Sequence, residues 1–274
     1  MTVADFCEKL VRRIRLLGLA LRGRALPISG PNEWVSPQLE WALEHDSAEY
    51  IRRRDDSDAQ SMRRLLAFTL GPEANCVDIG AHRGLVLQEM ARVAPRGHHV
   101  AFEPIPALAA GLRREFPAVE VHEMALSDQS GSARFSHVLG VAEGWSGLKY
   151  RELPPEVVVE QEQITVTLSR LDDMLAPDYV PSLIKIDVEG AELGVLRGAR
   201  NVLSRHLPII VFEHGSGSAE AYETFPRDIH ALLCDELGYR IFDLDGNGPY
   251  TLAEFEHGFT ARIRVNWVAA PVRR

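Results

Sequence analysis

The stretch Cys76-Val77-Asp78-Ile79-Gly80-Ala81-His82-Arg83-Gly84 decides the fold. A short apolar run carries Asp78 and ends at Ile79. Gly80 lets the chain turn tightly, and Gly84 lets a helix begin close against the strand. This is a strand–turn–helix unit. Two similar runs follow it in order. Val100-Ala101-Phe102-Glu103-Pro104 ends in Glu103, and Leu183-Ile184-Lys185-Ile186-Asp187-Val188-Glu189-Gly190 ends in Asp187 and Glu189. In an open parallel sheet the carboxyl ends of the strands line one crevice, where ligands bind. Three carboxylate-tipped strands at one edge suit a ligand with hydroxyls and positive charge.

Outward from these runs, strands and helices alternate. Strands are predicted over Asn75–Ile79, His98–Phe102, Val119–Ala125, Ser182–Ile186, Pro208–Glu213, Arg240–Asp243 and Arg262–Ala269. Helices are predicted over Leu85–Val93, Ala107–Glu115, Glu192–Leu203 and Arg227–Leu237. The alternation predicts an α/β protein with a Rossmann-like, mostly parallel, doubly wound sheet. One segment breaks the rhythm. Between Asp128 and Pro181 no good crossover helix is visible, while Gly131–His137 and Gln163–Leu168 alternate as strands. This predicts a β-hairpin inserted between the third and fourth parallel strands, in the manner of a lid or substrate loop. Trp145, Lys149 and Tyr150 lie in it, either covering an acceptor or anchoring the loop.

The chain has 274 residues, 46% apolar and 25% charged, with a net charge of −9. That balance argues against a general nucleic-acid binder, which would carry a basic surface. Residues 1–30 hold six Lys/Arg (Lys9, Arg12, Arg13, Arg15, Arg22, Arg24) and two acids, a net of +4, so the remainder carries −13. With Leu10, Ile14, Leu17 and Leu21 interleaved, the stretch reads as a basic amphipathic helix packed on the main domain; contact with a membrane surface or a partner helix is the rival reading. The arginines interrupt any secretory signal, and no run approaches the length of a membrane span. Arg24–Ser36 reads as a linker, and Glu40–Leu70 as largely helical. The expected organisation is a helical extension over 1–60 and a ligand-binding domain over 61–274. Cys7, Cys76 and Cys234 show no zinc spacing. Unpatterned thiols suggest a reducing, cytoplasmic compartment.

The glycine pattern of the first motif is not that of a dinucleotide site. GxGxxG has its middle glycine where this chain has His82, whose side chain would crowd a pyrophosphate. S-adenosylmethionine fits the acidic edge better, through its ribose diol, ammonium and sulfonium. Glu103, 25 residues after Asp78, is placed to accept hydrogen bonds from both ribose hydroxyls. Asp128 is either an acceptor for the adenine amino group or a turn-forming residue. The candidate cofactor set is Asp78, Gly80, Ala81, Gly84, Glu103, Pro104, Ser127, Asp128 and Asp187.

These residues resemble the FkbM-type family of S-adenosylmethionine-dependent methyltransferases. The matching stretches are VDIGAHRG (77–84), AFEPIP (101–106), ALSDQSG (125–131), SRLDDML (169–175) and IKIDVEGAELGVLRGA (184–199). The resemblance covers Ala74 to His214. It implies a Rossmann-like methyltransferase fold, S-adenosylmethionine as donor, and methylation of a hydroxyl on a sugar or secondary metabolite. His82 departs from the asparagine often found there.

Methyl transfer from a sulfonium is an in-line displacement, mainly a problem of orientation. An alcohol acceptor must also lose a proton, and a nearby base helps. The candidate catalytic residues are His214, Asp187 and Glu189, expected to converge at the strand ends. Histidine has the best-placed ordinary pKa for the task; His82 and His137 are weaker candidates. Lys185 is expected to pair with an acid. Asp187, Glu189, Glu213 and His214 also offer hard ligands for Mg or Mn, but the spacing does not require a metal and none is assigned. The expected partner is a small-molecule or glycan acceptor, with no nucleic acid and no membrane span; a homo-oligomer is compatible with the sequence. The rival functions are a nicotinamide oxidoreductase, disfavoured by the missing GxGxxG, and a non-catalytic Rossmann-like binding protein.

Overall fold

The computed structural model describes residues 47–149, 160–261 and 264–272. The basic stretch 1–30, the linker and Tyr150 lie outside them. A helix, α1 (Ser47–Thr69), leads into the first unit, so it runs across residues 60 and 61. Then come β1 (Asn75–Ile79), α2 (Leu85–Val93), β2 (Val100–Phe102), α3 (Pro106–Glu115) and β3 (Glu120–His122). The insertion holds β4 (Ala125–Leu126), β5 (Gly131–Val138), a 3-10 turn (Gly140–Trp145) and β6 (Gln161–Ser169). After α4 (Leu171–Met174) the main sheet resumes with β7 (Pro181–Ile186), α5 (Glu192–Gly198), α6 (Arg200–His206) and β8 (Ile209–Glu213). The last elements are α7 (Pro226–His230), a π-helical turn (Ala231–Glu236), β9 (Tyr239–Asp243), α8 (Leu252–Thr260) and β10 (Asn266–Pro271).

The main sheet has seven strands in the order β3-β2-β1-β7-β8-β10-β9. β1 pairs in parallel with both β2 and β7, so the strand order reverses between β1 and β7. That reversal opens the crevice the sequence predicts. β10 runs antiparallel between β8 and β9. The central strands are apolar almost throughout because helices cover both faces. Val77 and Ile79 of β1 join one core with Leu193, Leu196, Ile229 and Phe255. Cys76 points the other way, into a core with Leu66, Leu87, Met90 and Leu112.

The insertion is a hairpin as expected, β5 antiparallel to β6, with β4 added to make a small second sheet. Phe135, Val166 and Leu168 pack there with Ile105 and Ala125 in a third cluster. The predicted strand Val119–Ala125 is therefore split between two sheets. The predicted helix Glu192–Leu203 is also split, at Ala199. A Cβ on Gly198 would fall 2.0 Å from the Ser127 carbonyl oxygen, so the helix yields to the loop after β4. The Asp172 carboxylate then accepts the N–H groups of Asn201 and Val202 at 3.0 and 2.9 Å, capping α6 from a distance.

Candidate functional site

The turn after β1 is shaped by three positive φ angles: Gly80 (74°), His82 (50°) and Gly84 (76°). The N–H groups of Gly80 and Ala81 donate to the Phe102 carbonyl at 3.0 and 3.1 Å, fastening the turn to β2. A Cβ on Gly84 would meet Phe116 at 2.6 Å and Leu112 at 2.8 Å, so only glycine lets α2 start this close to α3. On its other side the turn abuts the end of β7, where the Asp187 N–H donates to the Ile79 carbonyl at 3.1 Å.

Lys185 joins these two strand ends. Its Nζ donates to the Gly80 carbonyl at 2.8 Å. It lies 3.3 Å from Asp78 Oδ1 and 3.6 Å from Asp187 Oδ2. Burial alone would lower the Lys185 ammonium, but Asp78 and Asp187 outweigh it and hold the group above its ordinary value. The expected pairing of Lys185 with an acid is thus met twice. Asp78 is fully enclosed, whereas the Asp187 side chain keeps 33% of its surface open.

Glu103 is 3% exposed at the end of β2. Its Oε2 accepts the His82 N–H at 2.7 Å, and its Oε1 accepts the Ile105 N–H at 2.9 Å. Burial pushes its carboxyl up, and these amides oppose the push. A carboxylate offers about four acceptor sites, so the two oxygens retain capacity for a diol. Pro104 lies between the bonded residues, and Pro106 starts α3. Ser127 and Asp128 follow β4; the Ser127 N–H donates to the Ser169 carbonyl at 2.9 Å. Asp128 is exposed and takes the Ser127 hydroxyl at 3.2 Å.

Glu189 sits at φ 58° in the tight loop after β7 and is 5% exposed. That loop is held by a residue the site assignment from sequence missed. Glu192, 1% exposed, accepts the N–H groups of Val188 and Gly190 at 3.1 and 3.0 Å. Burial pushes its carboxyl up to about 7, and Asp187 adds to the push. It lies inside the IKIDVEGAE stretch, which is the signal that marks it. Tyr222 is another. Its hydroxyl accepts the Lys149 N–H at 2.9 Å, and the Lys149 ammonium lies 5.3 Å from its ring centroid. A Cβ on Gly190 would strike the Ser218 carbonyl at 2.4 Å and the Tyr222 ring at 2.7 Å. The insertion, the loop after β7 and the segment after β8 therefore meet at Tyr222, and Lys149 anchors that junction.

His214 follows β8, but its ring turns inward. It is 1% exposed, stacks on Phe259 at 4.9 Å and lies 6.0 Å from Phe255. Burial pushes its imidazole down to about 4. Its carbonyl takes the Trp267 indole N–H at 3.0 Å. The structure thus brings Asp187 and Glu189 together on one loop and seats the His214 ring among aromatic side chains of α8.

His82 and Arg83 reach toward the insertion instead. Arg83 Nη2 lies 2.8 Å from Glu143 Oε2, and His82 Nε2 lies 3.5 Å from the same oxygen. His82 and Arg83 hold the Glu143 carboxyl down to about 2.

Glu192 Oε2 and both ring nitrogens of His214 are enclosed without hydrogen-bond partners among the described residues, whereas the enclosed Asp78 carboxylate has the Lys185 ammonium beside it. A close-approach glycine turn beside a buried carboxylate with spare acceptor capacity fits a polar nucleoside ligand. No group of three His, Cys, Asp or Glu among the described residues is placed to hold a metal ion.

The mostly parallel sheet, its strand order reversing between β1 and β7 with a glycine turn after β1 and Glu103 at the end of β2, defines a Rossmann-like fold. The chain belongs to the FkbM methyltransferase family: the Methyltransferase FkbM domain matches residues 78–241. This is a family of S-adenosylmethionine-dependent methyltransferases, and the three acidic strand ends fall within the matched region. The chain is 27% identical over 166 residues to the 2-O-methyltransferase NoeI of Sinorhizobium fredii, covering 56% of this chain and 68% of that protein. It is 28% identical over 143 residues to Methyltransferase 1 of Beauveria bassiana, covering 44% of this chain and 57% of that protein. Among solved structures it is similar to the methyltransferase FkbM of Methylobacillus flagellatus, at 17% identity and a TM-score of 0.46, covering 73% of this chain and 44% of the other.

Proposed function

We propose that this protein transfers the methyl group of S-adenosylmethionine to a hydroxyl of a sugar or secondary metabolite. The observation that carries the reading is the Glu103 carboxylate, buried at the end of β2 with acceptor capacity left after binding the His82 and Ile105 amides. The name of NoeI, a 2-O-methyltransferase, supports oxygen as the methylated atom.

The donor, when bound, supplies an activated methyl on a sulfonium. Glu103 would accept the ribose hydroxyls, and the turn Gly80–Gly84 would give the ligand close backbone approach. Ser127 and Asp128 would hold the adenine side. Asp78 and Asp187, already neutralised in part by Lys185, provide negative charge near the donor's ammonium. Asp187 and Glu189 lie on the acceptor side, where a carboxylate can hold and receive the hydroxyl proton. Burial holds the His214 imidazole down to about 4 and its ring stacks on Phe259, so a base role for it requires the ring to leave Phe259. Residues 61–274 constitute the catalytic unit and 1–60 an extension to it, in a cytoplasmic protein. Among the described residues no helix is long and apolar enough to cross a membrane.

Calorimetry with S-adenosylhomocysteine, followed by transfer of labelled methyl to a panel of sugars, amines and hydroxylated metabolites, tests the reading. Binding together with labelling of hydroxyl acceptors is expected. Labelling confined to amines, or no binding, would overturn it. Asp187→Asn is expected to lower turnover by roughly 10²-fold or more if that carboxylate receives the proton.

A further inference from the structure

Glu143 lies outside the stretches that carry the family resemblance, on the 3-10 turn of the inserted sheet. We propose that it is a positioning residue of the donor pocket, coupling the docking of the inserted sheet to the shape of the turn after β1. The inference rests on the S-adenosylmethionine reading above.

The contacts form a continuous chain. Glu103, the carboxylate assigned to the ribose, takes the His82 N–H at 2.7 Å. His82 is a non-glycine residue at φ 50°, a conformation that persists only where surroundings fix it. Its backbone is fixed by Glu103 and its ring by Glu143, 3.5 Å away. Arg83, next in sequence, adds the 2.8 Å contact to the same oxygen. The other Glu143 oxygen lies 3.7 Å from His137 Nε2 of β5, and His137 Nδ1 lies 2.9 Å from Glu162 of β6. Within the insertion, the Ser146 hydroxyl donates to the Glu143 carbonyl at 2.6 Å and accepts the Val138 N–H at 3.0 Å. Glu143 keeps only 16% of its side-chain surface exposed, so its ion pair with Arg83 is screened less than a fully exposed pair.

A ribose on Glu103 and a docked insertion therefore favour the same conformation of His82. Coupling of this kind is reciprocal: a donor analogue must tighten the insertion as much as the insertion tightens the donor.

The test uses S-adenosylhomocysteine on the full chain and on Glu143→Ala, His82→Asn and the double variant. Asparagine tolerates positive φ, so His82→Asn keeps the amide offered to Glu103 and removes only the ring contact. Each single variant is expected to weaken binding roughly 3–10-fold, with the double variant no weaker than the weaker single. In the wild type, the analogue should slow amide hydrogen exchange across residues 138–147, and it should not do so in Glu143→Ala. Wild-type affinity in Glu143→Ala, losses that multiply in the double variant, or unchanged exchange in the wild type would overturn the proposal. A wild type that binds no analogue would instead bring down the donor reading on which it rests.

Discussion

Gly80 and Asp187 sit so close that a Cβ on the first would lie 1.9 Å from the carbonyl oxygen of the second. The glycine thus serves the fold before it serves any ligand, because the turn after β1 must pass over the end of β7. Gly80→Ala is expected to cost about 2–4 kcal/mol and to weaken S-adenosylhomocysteine binding, since the strand ends must separate. Gly140 has φ 82°, and a Cβ placed on it would meet nothing within 4 Å, so Gly140→Ala is expected to cost only about 1 kcal/mol of backbone strain. Urea melts of the two variants check the contrast, and equal losses would count against it.

Lys185 places its ammonium beside the buried Asp78 carboxylate. Lys185→Met leaves Asp78 buried at 0% exposure without its cation and is expected to cost about 3–5 kcal/mol. Adding Asp78→Asn should recover part of that loss. A double variant no more stable than Lys185→Met alone would show that the pair is not the cause.

Glu103→Gln should weaken S-adenosylhomocysteine by about 1.5–3 kcal/mol, the scale of hydrogen bonds to a charged group. The side chain also accepts two backbone amides, so a smaller loss of unfolding stability accompanies it. Calorimetry and thermal melts read the two effects separately, and an unchanged affinity removes Glu103 from the ribose site.

Glu192 and His214 are shifted in opposite senses over overlapping ranges. The folded His214 titrates at about 4 instead of 6.5, so its contribution to stability is present above 6.5 and is lost as pH falls toward 4. The folded Glu192 titrates at about 7 instead of 4.5, so its contribution is present below 4.5 and is lost as pH rises through 7. Each is worth on the order of 3 kcal/mol at about 1.4 kcal/mol per pH unit, and between pH 4.5 and 6.5 the two slopes oppose each other. Glu192→Gln should therefore make stability rise with pH relative to the wild type across that window, and His214→Phe should make it fall. Urea midpoints at three pH values test this; two variants with the wild-type slope would sink it.

The elements that local pattern controls are legible in the sequence. β1 and α2 fall where the apolar run and the Gly80–Gly84 spacing put them, and Glu103, Asp187 and Glu189 arrive at one sheet edge because parallel strands must present their ends together. What escapes the sequence is set by contacts between distant segments. The break at Ala199 depends on Ser127 pressing on Gly198. The inward turn of the His214 ring depends on Phe255 and Phe259, in a helix that follows β9. Glu143 meets Arg83 across 60 residues, and no periodicity in either stretch announces it. The insertion is readable as a hairpin, whereas its third strand, β4, is too short to leave a pattern.

The placement of β10 has a consequence for how the molecule is assembled. Among the described residues β9 has no sheet neighbour except β10, although β9 precedes it in the chain. During synthesis the outer edge of β8 must wait, unpaired and apolar, until residues 266–271 leave the ribosome. Until then β9 has no strand to join, and that edge is open to association with other chains. A ribosome paused before Asn266 would hold a nascent chain whose Glu103 and Asp187 strand ends have already been translated but whose sheet is not closed.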